Sequence, residues 1–87
     1  MTDTPRGYLE ETLRQVLATD PRVLEPELHV EIDGGLVVVT GVVPTQERRL
    51  EVGRVLAEHT RALGELRVVN RTEVAHFPPP SSQERIR

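Results

Sequence analysis

The sequence contains no cysteine and no tryptophan, and its only aromatic residues are Tyr8 and Phe77. Without cysteine the chain has no disulfide framework, no thiolate metal site and no thiol nucleophile. Because aromatic rings are so scarce, valine and leucine have to fill the hydrophobic core. The same scarcity argues against a strand surface that stacks nucleic-acid bases.

Long apolar runs and a strong positive charge are also missing. No stretch approaches the ~20 apolar residues of a membrane span, and no basic segment followed by an apolar run marks a secretory signal. The net charge of −3 is far from the basic balance of a nucleic-acid-binding domain. We therefore expect one cytoplasmic domain without nucleic-acid partners or a transmembrane segment, for which peripheral membrane association stays open.

Residue patterns that carry catalysis or bind metal ions are absent as well. The three histidines, His29, His59 and His76, fall on three different predicted elements and have no metal-ligand spacing. Serine occurs only at Ser81 and Ser82, close to the C-terminus, so a serine nucleophile is not expected. Neither a phosphate-binding loop nor a nucleic-acid-binding GxxG loop is present. We expect no enzyme activity, no cofactor and no metal site.

The segment from Leu28 to Val43, LHVEIDGGLVVVTGVV, predicts a β-hairpin. In its first half apolar and polar residues alternate with a period of two, which is typical of a half-buried strand. The sequence Asp33-Gly34-Gly35 supplies the positive φ angles that a tight hairpin turn needs. The segment therefore predicts two short antiparallel strands at the centre of the domain.

The second strand of this hairpin is apolar on both faces. If Val37, Val39 and Val43 join the core, Leu36, Val38 and Val42 point to the opposite side. Two interpretations remain open: strand propensity alone, or a face that a partner contacts. Gly41 inside this strand indicates a bulge or a close backbone approach.

Two amphipathic helices flank the hairpin. Thr4 and Pro5 are suited to start the first helix, in which Glu10 and Arg14 have the spacing of an ion pair. Thr45 is suited to cap the second helix, and Gly64 to end it. Their buried positions are predicted to be Leu9, Leu13, Val16 and Leu17 in the first helix and Val52, Val55 and Leu56, with His59 or Leu63, in the second. Leu24, in the connector between them, can close the end of the core.

A third strand follows the second helix, with Leu66, Val68, Asn70, Thr72 and Val74 on one face. Its outward residues Arg67 and Arg71 can pair with Glu27, Glu31 or Asp33 if the first and third strands are neighbours. The predicted fold is α+β, in the order α-β-β-α-β, with two helices on one face of a three-stranded mixed sheet. We place the domain at residues 8–75, after a flexible N-terminus (1–7) and before a disordered Pro/Ser-rich tail (76–87).

These motifs resemble the BON domain family, named for bacterial osmotically induced and nodulation proteins. Residues 33–43, DGGLVVVTGVV, are similar to the family's "dG.VtLsG.V" signature, and residues 68–70 with Val74 are similar to its closing strand. Thr45 to Arg48 match the polar start of its second helix. The resemblance covers roughly residues 8–75, and three positions depart from it: Glu65 follows Gly64, Thr72 replaces a leucine, and Val38 replaces a polar residue.

The resemblance implies a non-enzymatic module that binds phospholipid surfaces or envelope-associated partners. Two surfaces are candidates for that binding. The first is the set of second-helix arginines, which would contact anionic phospholipid: Arg48, Arg49, Arg54 and Arg61. The second is the outer sheet face, which would contact another protein or a second copy of the chain: Leu36, Val38, Val42 and Val69. A sensor of a small ligand or ion remains a further alternative.

Overall fold

A computed structural model describes residues 6–75 of the chain. The predicted helix start at Thr4 and Pro5 and the predicted tail lie outside these residues. The described chain forms α1 (Arg6–Thr19), β1 (His29–Asp33), β2 (Leu36–Val43), α2 (Gln46–Arg61) and β3 (Arg67–Val74). This order confirms the predicted α+β class. The first helix includes Gly7 and so begins before the predicted domain boundary at residue 8.

The three strands form one mixed sheet in the order β1-β2-β3. The hairpin makes β1 and β2 antiparallel, and the crossover through α2 makes β2 and β3 parallel. Because β2 lies between the two other strands, β1 and β3 are not neighbours. The condition for pairing Arg67 and Arg71 with acidic residues of the first strand is therefore not met.

The core lies between one face of the sheet and the two helices. Alternate strand residues supply one side of this core and the helix stripes supply the other. Its buried members are Leu13, Leu17, Val23, Leu28, Val30, Ile32, Val37, Val39, Val43, Val52, Val55 and Leu56. Thr60 takes the next buried position of α2, while His59 and, beyond the end of the helix, Leu63 are exposed. The prediction that His59 or Leu63 is buried was therefore wrong.

The connector between α1 and β1 closes the core with Val23 rather than with Leu24. Val23 is completely buried, whereas Leu24 is 55% exposed. The N–H groups of both residues donate to the carbonyl of Asp20, at 2.8 and 2.9 Å. Leu24 adopts a positive φ of 51°, which is unusual for a residue with a side chain. This local backbone turns its side chain away from the core, so the prediction for Leu24 was wrong.

The hairpin turn uses only one of its two glycines in a left-handed conformation. Gly34 has φ 62°, whereas φ of Gly35 lies outside the left-handed region. A positive φ at the first central residue alone is the pattern of a type II′ turn. Gly35 contributes its carbonyl oxygen, which accepts the N–H of Arg67 at 2.9 Å. The turn therefore also positions the start of β3.

Gly41 marks a close approach and not a bulge. The pairing of β2 with β3 runs without interruption from Leu36 to Val43. A Cβ atom at position 41 would lie 2.6 Å from Leu28 Cδ2 and 3.4 Å from Leu28 Cα. The φ of Gly41 is 135°, which side chains rarely adopt. Gly64 has φ 104° just after α2, as its predicted role at the helix end requires.

Replacing Gly41 by alanine should destabilise the fold by about 2 to 4 kcal/mol, because both the backbone strain and the clash with Leu28 are introduced. Urea denaturation of the purified protein measures this change in the free energy of unfolding.

Gly34→Ala is the matched control, since a Cβ atom there meets nothing within 4 Å. It should cost only about 1 kcal/mol, from the φ angle alone. In a double-mutant cycle, Leu28→Ala should recover part of the cost of Gly41→Ala. Equal costs for the two glycine variants would contradict the packing explanation.

Candidate functional site: the open sheet face

The face of the sheet opposite the helices is the candidate site, and we call it the open face. The alternation that buries every second strand residue turns the intervening residues outward. The open face carries His29, Glu31 and Asp33 from β1, Leu36, Val38, Thr40 and Val42 from β2, and Arg67, Val69, Arg71 and Glu73 from β3. The predicted apolar residues Leu36, Val38, Val42 and Val69 are thus brought together on one surface.

An apolar stripe runs along the middle of the open face. Val42 is 61% exposed and Leu36 is 39% exposed, while Val38 and Val69 are half-buried. Val38 and Val69 are also direct neighbours in the register between β2 and β3. Leu36, Val38 and Val69 are adjacent on this face, whereas Thr40 separates Val42 from Val38 along β2. Contiguous exposed apolar side chains are typical of an interaction surface.

Charged residues of opposite sign lie on the two sides of this stripe. Glu31 and Asp33 are exposed on β1, and Arg67 and Arg71 are exposed on β3. Asp33, Leu36 and Arg67 form one row across the sheet, and Glu31, Val38 and Val69 form the next. Outer strands of a three-stranded sheet lie about 10 Å apart. No ion pair of these four charges occurs among residues 6–75.

A carboxylate from α1 closes the outer edge of β1. The N–H of Ile32 donates to Glu10 Oε2 at 2.7 Å. The predicted pair of Glu10 with Arg14 was therefore wrong, because Arg14 binds Glu11 at 2.6 Å instead. Exposed strand edges recruit other strands unless a side chain covers them, so Glu10 makes β1 a poor template for strand addition.

An arginine from α2 closes the outer edge of β3 in the same way. Arg49 Nε donates to the carbonyl of Thr72 at 2.7 Å, and Arg49 Nη2 donates to that of Asn70 at 3.2 Å. The side chain of Asn70 donates to the carbonyl of Arg49 at 2.8 Å and accepts the N–H of Thr72 at 3.1 Å. Arg49 was predicted as a phospholipid contact, but here it joins a helix to a strand.

Arg48 is also held by contacts inside the protein. Its Nη1 atom donates to the carbonyl of Val23 and to Glu25 Oε2, both at 2.7 Å. Arg54 pairs with Glu51 at 2.8 Å, and Arg61 is exposed near the end of α2. The four arginines predicted to bind phospholipid therefore do not form one free cationic patch.

A second charged cluster ties the connector after α1 to α2. Arg22 Nη2 lies 3.0 Å from Asp20 Oδ2 and 2.9 Å from Glu58 Oε1. Hydrogen bonds from Arg22 lower the pKa of Asp20 and of Glu58 below their ordinary values. The same two partners, Glu58 first, raise the pKa of Arg22. Arg22 and Glu58 are exposed and Asp20 is partly exposed, so this cluster is salt-sensitive and weak.

The concave surfaces formed by residues 6–75 are open grooves, and one of about 500 Å³ lies beside β1, between Glu10 and Asp33. The groove beside the start of α2, of about 350 Å³, is lined by Arg22, Thr45, Glu47, Arg48 and Glu51. Within residues 6–75, no group of three or more histidine, cysteine, aspartate or glutamate side chains is placed to bind a metal ion. In the same span neither helix combines the length and the apolar character needed to cross a bilayer.

Comparison with known proteins assigns no relative to this chain: no family model and no curated protein matches it. The BON-like resemblance of the hairpin and the third strand therefore remains a prediction.

We expect Arg49→Lys to lower the free energy of unfolding by about 1 to 2 kcal/mol, because an ammonium group cannot bridge two strand carbonyls as a guanidinium does. Thermal and urea denaturation measure the loss. Arg54→Lys, at an exposed ion pair, is the control and should change stability by less than about 0.5 kcal/mol. A loss as large for Arg54→Lys would argue against the edge-closing role of Arg49.

The Arg22 cluster predicts a small pH dependence of stability. Carboxylates whose pKa is lowered in the folded state stabilise it above the unfolded pKa of about 4, and this contribution disappears as the pH falls through the folded pKa. Arg22→Gln should therefore be less stable than the native protein at neutral pH, and the two stability curves should converge on acidification. Urea denaturation at a series of pH values tests this. A difference that grows toward low pH would contradict it.

Proposed function

We propose that this chain is a non-catalytic binding module whose open face docks on a partner protein. The observation that carries the proposal is the uncovered apolar stripe of Leu36, Val38, Val42 and Val69. Three of these side chains belong to the central strand and Val69 adjoins it, so the stripe lies where a flat partner surface can bury it fully. The partner surface needs an apolar centre with basic groups opposite Glu31 and Asp33 and acidic groups opposite Arg67 and Arg71.

The contacts at the two edges of the sheet favour the open face over the edges as the binding surface. Glu10 occupies the backbone donor of Ile32 on β1, and Arg49 occupies two backbone acceptors on β3. Binding by strand addition needs such backbone groups to be free. Side-chain docking on the open face needs no backbone group. The proposal therefore concerns packing of side chains onto the sheet rather than extension of the sheet.

The BON-like resemblance supports a non-enzymatic role but implies phospholipid as one ligand. Binding of anionic lipid through α2 would need Arg48 and Arg49 to exchange their present partners for headgroups. Those partners are backbone carbonyls and Glu25, and leaving buried carbonyls unpaired is costly. Only Arg54 and Arg61 would remain, diluted by Glu51 and neighbouring acids on the same helix. We therefore propose a protein partner and make lipid binding an outcome of the test.

Photocrosslinking in the cells that produce the protein tests the proposal. A benzophenone amino acid at position 42 should give a discrete protein adduct, because Val42 is 61% exposed on the open face. The same probe at position 50 is the matched control, since Leu50 is 53% exposed but lies on α2. Adding Leu36→Arg should remove the adduct, because it places a charge in the apolar stripe.

Flotation with vesicles tests the alternative, in which the protein binds a membrane surface. The purified protein should not float with phosphatidylglycerol or phosphatidylcholine vesicles at low salt. Salt-sensitive flotation with phosphatidylglycerol vesicles alone, lost in Arg54→Glu/Arg61→Glu, would overturn the proposal in favour of a membrane surface. An adduct of equal yield from positions 42 and 50, or no adduct from position 42, would also overturn it.

A further inference from the structure

Around Leu36 and Val38 the open face separates its charges by strand, whereas acidic Glu73 lies at the far end of β3 beside Val42. Acidic Glu31 and Asp33 lie on β1, apolar Leu36 lies on β2, and basic Arg67 and Arg71 lie on β3. Since β2 keeps the acids and the arginines about 10 Å apart, the two groups do not satisfy each other within one chain. A surface with this pattern is complementary to a surface with the mirrored order of charges.

A second copy of the chain presents that mirrored order. A two-fold rotation about an axis that lies between the two sheets and runs parallel to β2 packs two open faces against each other. It reverses the order of the strands across the interface. The first strand of each copy then lies over the third strand of the other. Half a turn about an axis perpendicular to the strands would instead place acid over acid. Only the first of these two aligned packings brings opposite charges together.

The strand register determines which residues face each other in this packing. Asp33, Leu36 and Arg67 form a single row, so the rotation places Asp33 of one copy over Arg67 of its partner copy, and Leu36 over Leu36. The next row brings Val38 over Val38. Arg71 lies in the next row with Thr40 and His29. The rotation places it over His29 of the partner copy, and it is long enough to approach Glu31 of that copy diagonally. Apolar contacts thus lie on the axis and ion pairs lie on both sides of it.

We infer that the chain forms a symmetric dimer in which two open faces pack with their strands aligned and their acidic and basic strands exchanged. The inference rests on the proposed function, since it names the partner that docks on the same face. The face is small compared with the ~800 Å² that each partner buries in a standard interface. The dimer is therefore weak, with a dissociation constant in the micromolar to millimolar range, and it weakens further as salt screens the ion pairs.

Sedimentation of the purified full chain from about 20 μM to about 1 mM covers this range of dissociation constants. The native protein should move reversibly from its monomer mass of 9.8 kDa toward twice that value. Asp33→Arg and Arg67→Asp should each raise the dissociation constant at least about tenfold, because each places like charges opposite each other. Arg61→Asp makes the same charge change on α2 and should dimerise like the native protein. Circular dichroism confirms that each variant is folded.

Mixing the two single variants provides the decisive measurement. The Asp33→Arg chain offers arginine on both outer strands, and the Arg67→Asp chain offers aspartate on both. The mixture should form a heterodimer whose dissociation constant returns to within about threefold of the native value, as both ion pairs are restored in reversed order. A packing in which these strands do not face each other would not produce this rescue.

The outcomes separate this inference from the proposed function. A native chain that stays monomeric at about 1 mM, single variants that dimerise normally, or a mixture without rescue would each overturn the dimer. If the chain is monomeric but position 42 still crosslinks to a different protein, the dimer is wrong and the protein-binding function stands. If the chain is monomeric and position 42 gives no adduct, both are wrong.

Discussion

The structure depends on a three-stranded sheet with β2 at its centre, whose edges and faces must all be provided with contacts. Such a sheet has two edges and two faces, and each exposes groups that need partners. With only two helices among residues 6–75, one face can be covered completely. The edges are therefore closed by single side chains, Glu10 of α1 and Arg49 of α2. Each helix thus packs on the sheet and also closes the edge of the outer strand nearest to it.

The same central strand determines which residues remain outside. Its alternation places Val37, Val39 and Val43 in the core, and this leaves Val38 and Val42 on the other side because adjacent residues point to opposite faces. Gly41 lacks a side chain where Leu28 packs against β2, so the core packs closely around this position. Core packing and the apolar open face are consequently two results of one sequence pattern, and a shift of register by one residue would exchange them.

Most of the fold could be predicted from local patterns, because strand alternation, helix stripes and turn residues act over a few positions. The order of elements, the mixed sheet and the outer set around Leu36 follow from those patterns. The contacts of Arg49 could not be predicted, because its partners Asn70 and Thr72 are about twenty residues away in sequence and a helix arginine is usually solvated. The prediction for Leu24 was wrong for a similar reason: the choice between Val23 and Leu24 depends on a positive φ that no local pattern indicates.

The distribution of charge explains more about the open face than the total of −3 does. Net charge describes attraction at long range, which salt screens within about 10 Å. Charges arranged in columns on either side of an apolar stripe act at contact distance, where they select one orientation of a partner over another. The area of this face limits its affinity, so its occupancy depends on the local concentration of partners. Tethering or co-localisation that raises the effective concentration to the millimolar range would make such a weak contact persistent without any new interaction. Orientation by charge and occupancy by proximity are therefore the two properties that the proposed docking on this face would depend on.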